Sequence, residues 1–445
     1  MNKEGITTPW KKISTRQLRD RLNDKRTQII DVRPVDAYNG WKLRGEARGG
    51  HIPGARSLPA KWRDYIDWIE IVRAKGIRPA QPLVLYGYHP GEAEAVGRQF
   101  LRAGYENIAV YHDFVPGWSA DRQLPLERLA RYRQLVPAQW LAQLLKDGHA
   151  PEYDNQRFVL AHAHYRNPDA YTQGHIAGAI PLDTNMLESP QTWNRRSPEE
   201  LKQAFAHLGI TRDTTVILYG RFSFPDNRDP FPGSSAGQLA AMRCAFLMMY
   251  AGVRDVRILN GGLQSWRDAG FSIVREAVEP RPAADFGGAI PARPELAVDI
   301  AEAKRILREK DQNLVSVRSW REFTGEVSGY HYIEKKGRIP GAVFGNCGSD
   351  AYHMENYRNL DHTAREYQEI EKMWSNAGIT PEKRNAFYCG TGWRGSEAFF
   401  HAWLMGWPRI SVFDGGWFEW SNDEKNPFET GIPERTFEEQ DRAVA

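Results

Sequence analysis

In Asn385-Ala386-Phe387-Tyr388-Cys389-Gly390-Thr391-Gly392-Trp393-Arg394-Gly395, an apolar run stops at a cysteine and continues as a glycine-rich turn. The residues that follow, Ser396 to Met405, place Ala398, Phe399, Ala402 and Trp403 on one helical face, and Gly406 ends the pattern. A strand thus ends in a thiol and leads directly into a helix. The unpaired N–H groups of a helix start, together with nearby Arg394, favour the thiolate over the thiol. The thiolate is the nucleophile, so Cys389 is a candidate for covalent catalysis. A lone cysteine is more often core, but a packed structural thiol has no need of Gly390, Gly392 and Arg394 around it.

The same plan recurs three times along the chain. The first copy contains Ile29-Ile30-Asp31-Val32-Arg33-Pro34 and then Gly50-His51-Ile52-Pro53-Gly54-Ala55. The second contains His164-Tyr165-Arg166-Asn167-Pro168 and Gly174-His175-Ile176-Ala177-Gly178-Ala179, and the third Leu314-Val315-Ser316-Val317-Arg318-Ser319 and Gly337-Arg338-Ile339-Pro340-Gly341-Ala342. In each, a short apolar strand follows (Leu83 to Tyr86, Val216 to Tyr219, Ala386 to Tyr388), and a closing strand leads to a tryptophan (Trp118, Trp266, Trp420). Short β-branched or aromatic runs alternate with helical patterns, which predicts βα units around a mostly parallel sheet. The domains expected are residues 10–126, 133–277 and 291–432, with Glu279-Pro280-Arg281-Pro282-Ala283-Ala284 as the second linker. On this alignment His164 matches Asp31 and Ser316, and Arg166 matches Arg33 and Arg318. Only the third copy has the nucleophile. Gly87 and Gly220 stand at the position of Cys389, and Arg221-Phe222-Ser223-Phe224-Pro225-Asp226 suits no tight anion cradle.

The loop Cys389-Gly390-Thr391-Gly392-Trp393-Arg394 resembles the active-site loop of the rhodanese sulfurtransferase family, and the three-copy order resembles its tandem, three-domain members. That resemblance implies an α/β fold of three rhodanese-like domains, the third catalytic. It implies a Cys389 persulfide that takes sulfane sulfur from a small donor (thiosulfate or 3-mercaptopyruvate) and passes it to a thiophilic acceptor. Acceptors of that kind are cyanide, a small thiol, thioredoxin or a sulfur-carrier protein. Gly390 following the cysteine is more similar to mercaptopyruvate enzymes than to thiosulfate enzymes; Trp393-Arg394 departs from both. The amides of Gly390, Thr391, Gly392, Trp393 and Arg394 suit a persulfide's negative charge, and Arg394 is expected to anchor an anionic donor by charge-assisted bonds. Family analogy gives Arg318 the same task, although arginines at matching positions of the cysteine-less copies favour a fold-supporting role equally. No cofactor is implied.

Two rivals remain. Rhodanese-fold phosphatases hold a phosphoryl group in a loop with five residues between cysteine and arginine; here there are four. A sulfur-relay or partner-binding scaffold is suggested by the two copies without a nucleophile.

The other candidates read blandly. Cys244 lies in an apolar helical run and is core. Cys347 is placed to approach the active loop, as a resolving thiol or as a small packed residue. His162 and His164 alternate along one strand with no third ligand nearby, so no metal is expected. The pairs Gly261-Gly262 and Gly415-Gly416 lack a dinucleotide fingerprint and read as turns. Lys+Arg 59 against Asp+Glu 56 leaves +3, too balanced for a nucleic-acid or anionic-membrane surface. The basic stretch Arg128 to Arg133 reads as a solvated helix face. No run of about 18 apolar residues predicts a membrane span. The polar start Met1 to Lys12 argues for the cytoplasm, and a removed export signal, giving a periplasmic protein, would leave the same sequence.

Overall fold

The computed structural model describes residues 10–222 and 236–433, so Ser223-Phe224-Pro225-Asp226 lie outside the described residues. Each copy folds as a five-stranded, wholly parallel sheet of one topology. In the third copy the spatial order is Ala297–Val298, Ile410–Phe413, Arg384–Tyr388, Gln312–Ser316 and Val343–Phe344. The strand before the cysteine is therefore central, and its end opens at the carboxyl edge, where ligands bind in sheets of this kind. In the first copy the central strand is Leu83–Tyr86 and in the second Thr215–Tyr219.

The repeated motifs have repeated physical jobs. The central strands end in tyrosine, and the hydroxyls of Tyr86 and Tyr219 accept from the N–H of Ile52 and Ile176, which lie in the Gly-His-Ile motifs. The residue before that isoleucine forms an antiparallel bridge to the exit segment: His51 to Glu127, His175 to Val274, Arg338 to Glu429. Trp118, Trp266 and Trp420 are buried, and their indole N–H groups donate to the carbonyls of Pro125, Ser272 and Pro427 at 2.8–2.9 Å. These bonds fasten each copy's last helical turn to its own exit.

The register corrects two expected matches. Asp31 pairs with Tyr86 and Ser316 with Tyr388, but it is His162 that pairs with Tyr219. The second copy's strand runs on through Phe158–His164, so two extra residues precede its helix. His164 therefore stands where Arg33 and Arg318 do. Arg166 is exposed, at φ 59°, and donates to the Pro190 carbonyl; it is not their counterpart.

By compactness the chain divides into Met1–Arg133 and Gln134–Ala445. The first unit runs past the expected end at residue 126: Leu129 N–H donates to the Asn39 carbonyl, and the Tyr132 ring packs under Gly40. Arg128 to Arg131 are irregular and lead into a single 3-10 turn, with Leu129 and Tyr132 buried, so this stretch is an anchor strap and not a solvated helix face. In the second unit the second and third copies share a core. The helix Ala236–Ala251 of the second packs along Trp393–Leu404 of the third, with Phe246 edge-on to Phe399 at 5.4 Å. Both helices are buried nearly all round, as expected of helices enclosed on every face. Cys244 lies fully buried in the first of them. The segment Pro280–Ala284 adheres to the second copy, Ala283 N–H donating to the Ala206 carbonyl.

Candidate active site

The strand Arg384–Tyr388 ends where expected, and the helix begins at Trp393 with Gly392 as its N-cap at φ 85°. A positive φ favours glycine there. Among the described residues, the N–H groups of Gly390, Thr391 and Gly392 donate to no backbone carbonyl, and those of the first helical turn have no intrahelical acceptor. The loop is thus a bowl of free donors following the Cys389 sulfur.

A second loop clamps the bowl. Trp417 and Phe418 N–H donate to the carbonyls of Cys389 and Gly390 at 2.8 and 2.9 Å. Gly416 sits at φ 54°, and a Cβ on it would stand 2.7 Å from the Cys389 carbonyl oxygen. The Gly415-Gly416 pair is therefore a turn shaped to press on the cysteine loop.

Arg394 does not reach outward. It is fully buried, and its Nη1 and Nη2 donate to the two oxygens of Glu322 at 2.9 and 2.8 Å. Nη1 also lies 3.2 Å from Sγ of Cys347. Burial works to raise the Glu322 carboxyl, but Arg394, then Arg318 and the Ser319 N–H, outweigh it and hold the group at about 2. Burial pushes the Cys347 thiol up to about 12 against the opposing pull of Arg394. Cys347 does approach the active loop, as a neutral thiol packed on Arg394.

Arg318 is equally committed. It is fully buried, donates to Glu322 and to the carbonyls of Gly337 and Ser328, and stacks its guanidinium over Trp417 at 5.1 Å. In the first copy Arg33 does the same with Asp31 and the Gly50 carbonyl. That repetition, in a copy with no cysteine, favours the fold-supporting role. Trp393 turns its indole toward the second copy, donating from Nε1 to Glu188 at 3.1 Å.

Aromatic rings cover the thiol, which is fully buried. A Cβ on Gly390 would overlap the Tyr330 ring, so glycine at this position lets the tyrosine approach the loop closely. Tyr330 stacks on Tyr332 at 5.1 Å and takes the edge of Tyr352 at 5.8 Å. Tyr332 interacts with the Thr391 hydroxyl and stacks at 4.6 Å on Trp193, which comes from the second copy. Burial raises both phenols, and for both the neighbouring Cys389 sulfur adds to the rise. The sequence reading missed Glu322, Tyr330, Tyr332 and Trp193; of these only Glu322 carries a local signal, the Ser319-Trp320-Arg321-Glu322 capping box, which marks a helix start and not a partner for Arg394.

The model of the rhodanese-like domain matches three times, at residues 14–121, 138–269 and 299–423. The chain belongs to the rhodanese-like family. Thiosulfate sulfurtransferase YnjE of Escherichia coli (strain K12) is 40% identical over 418 residues, 93% of this chain and 91% of that protein. Sulfur carrier protein TtuD of Thermus thermophilus is 27% identical over 65% of this chain and 93% of its own. The wild-type structure of EanB is 60% identical and superposes with a TM-score of 0.92 over 95% of this chain and 98% of EanB. Other EanB structures hold hercynine or ergothioneine, and one holds a cysteine persulfide in a tetrahedral intermediate state with ergothioneine. The expected three-domain sulfurtransferase architecture is therefore present. Among the described residues no helix is long and apolar enough to cross a membrane.

Proposed function

We propose that this protein is a sulfurtransferase that carries sulfane sulfur as a Cys389 persulfide and delivers it to an imidazole betaine of the hercynine type. The observation that carries this reading is the placing of Tyr330 and Thr391 about Cys389. In the EanB complexes the substituted tyrosine lies 59 positions before the substituted cysteine, and the substituted threonine two after it. Tyr330, Cys389 and Thr391 stand at the same intervals.

The chemistry fits the groups present. Hercynine is a trimethylammonium betaine of histidine, and ergothioneine is its 2-thio form. The terminal persulfide sulfur bonds to the imidazole C2, the S–S bond breaks, and its electron pair returns to Sγ of Cys389. The C2 proton ends on a ring nitrogen, so the acceptor gains one sulfur and nothing else. The loop amides hold the charge on sulfur before and after transfer. Tyr330, kept protonated by burial, is suited to give and retake a proton beside C2.

The donor is a separate matter. Thiosulfate or 3-mercaptopyruvate remains the family expectation, and the likeness to YnjE supports thiosulfate. With Arg394 and Arg318 both engaged inside the protein, neither supplies a free cation for an anionic donor. The test is incubation with hercynine and each of thiosulfate, 3-mercaptopyruvate and inorganic polysulfide, followed by mass analysis of the small-molecule fraction. One added sulfur on hercynine, lost in Cys389→Ser, supports the reading; a loaded enzyme that leaves hercynine unchanged sinks the acceptor assignment.

A further inference from the structure

We propose that the cysteine-less second copy acts as a positioning element for the catalytic loop, through the segment Glu188–Arg195 keyed by Arg243. The inference rests on the reading of Cys389 as the sulfur-carrying residue. It assigns the second copy a part in that chemistry.

The segment is a short hairpin closed by an antiparallel bridge between Glu188 and Arg195. Three of its side chains reach residues flanking the cysteine. Glu188 accepts from Trp393 Nε1 at 3.1 Å. Trp193 stacks on Tyr332 and meets the edge of Phe418 at 5.3 Å. Arg195 donates from its backbone N and Nη1 to Oδ2 of Asp414 at 2.8 and 2.9 Å. Asp414 directly precedes the glycine pair that presses on Cys389 and Gly390.

Arg243, fully buried on the helix Ala236–Ala251, joins all three. Its Nε donates to Glu188 at 2.9 Å, Nη2 donates to the Trp193 carbonyl at 2.6 Å, and Nη2 forms an ion pair with Oδ1 of Asp414, also at 2.6 Å. Nη1 has no partner among the described residues and faces the cysteine loop, 3.1 Å from where a Cβ on Gly392 would stand. Two arginines against two carboxylates leave the cluster without net charge, which keeps its burial tolerable. Trp193 holds φ 59°, a conformation rare for a bulky residue that persists where surroundings enforce it, commonly at functional sites. Interdomain packing alone calls for neither a strained tryptophan nor a buried donor left open toward the catalytic loop.

The measurement is the rate of Cys389 alkylation by iodoacetamide near neutral pH, assigned by peptide mapping, together with kcat and KM for sulfur transfer to hercynine. Trp393→Phe removes one N–H and keeps a ring; Glu188→Gln keeps the hydrogen-bonding shape and removes a charge. Both are expected to unfold within a few degrees of wild type and to lower alkylation rate and kcat by roughly three- to tenfold, with donor KM unchanged. Arg243→Lys should recover part of what Arg243→Met loses. Wild-type alkylation and kcat in folded Trp393→Phe and Glu188→Gln would overturn the proposal. Should the wild-type protein transfer no sulfur at all, the alkylation rates still decide: slowing upholds positioning, while the sulfur-transfer reading fails separately.

Discussion

Arg394 and Glu322 form a fully buried, two-pronged ion pair at 2.9 and 2.8 Å, and Arg318 donates to the same carboxylate at 3.3 Å. One acid thus fixes the first turn of the catalytic helix and the end of the neighbouring strand. Glu322 is itself held by a capping box with Ser319, so the pair ties the cysteine loop to a short, rigid helix start.

Arg394→Ala leaves Glu322 facing only Arg318 in a buried site. Breaking a buried pair from one side costs about 3–5 kcal/mol. The thermal midpoint of Arg394→Ala should therefore fall well below wild type, and sulfur transfer should fall with it. A variant with wild-type stability and only a raised donor KM would restore the donor-anchoring role expected from the loop sequence.

The same acid sets an acid limit. Its carboxyl is held at about 2 against an ordinary value of 4.5, so the native state binds its proton less tightly than the unfolded chain does. The stabilisation is present above about 4.5 and is lost as pH falls through that value toward about 2. Denaturant melts across this window should show stability declining with acid, and less steeply in Glu322→Gln, if that variant folds. Parallel declines in both proteins would move the acid sensitivity elsewhere.

Much of this was legible in the sequence, and the part that was not has a physical reason. Cys389, its glycines and the three closing tryptophans announce themselves locally, because a tight turn and a repeated cap each need particular residues. Glu322 lies 72 residues before Arg394, and Glu188 lies 205 before Trp393; no spacing rule joins them before the sheets form. Tyr330 and Tyr332 lie in an irregular stretch with no period to read. The mismatch at His164 came from two inserted residues that lengthen one strand without disturbing the apolar pattern. Arg394 misled because a charge beside a thiolate invites a ligand, and only the fold shows the carboxylate already there.

Tyr330→Phe keeps the ring over Gly390 and removes the hydroxyl. Persulfide loading should proceed near the wild-type rate, while transfer to hercynine should slow by roughly 10²–10⁴-fold, the range for loss of a general acid–base group. Equal slowing of both half-reactions would make Tyr330 a packing residue only.

Gly390→Ala places a methyl group against that ring. The loop or the tyrosine must shift, and overpacking of this kind costs about 1–3 kcal/mol. Persulfide loading should fall sharply in Gly390→Ala and recover in part in the double variant with Tyr330→Ala only if the clash is the cause. No recovery of loading in the double variant would place the fault in the loop backbone.

The central claim is that one sulfur travels through Cys389 alone. Intact mass of the full-length protein after incubation with a sulfane donor, followed by peptide mapping, tests it most directly. The account predicts one added sulfur on the peptide bearing Cys389, discharged by hercynine, absent in Cys389→Ser and retained in Cys347→Ala and Cys244→Ser. Sulfur that persists in Cys389→Ser, or a wild-type protein that gains none from any donor, would contradict it.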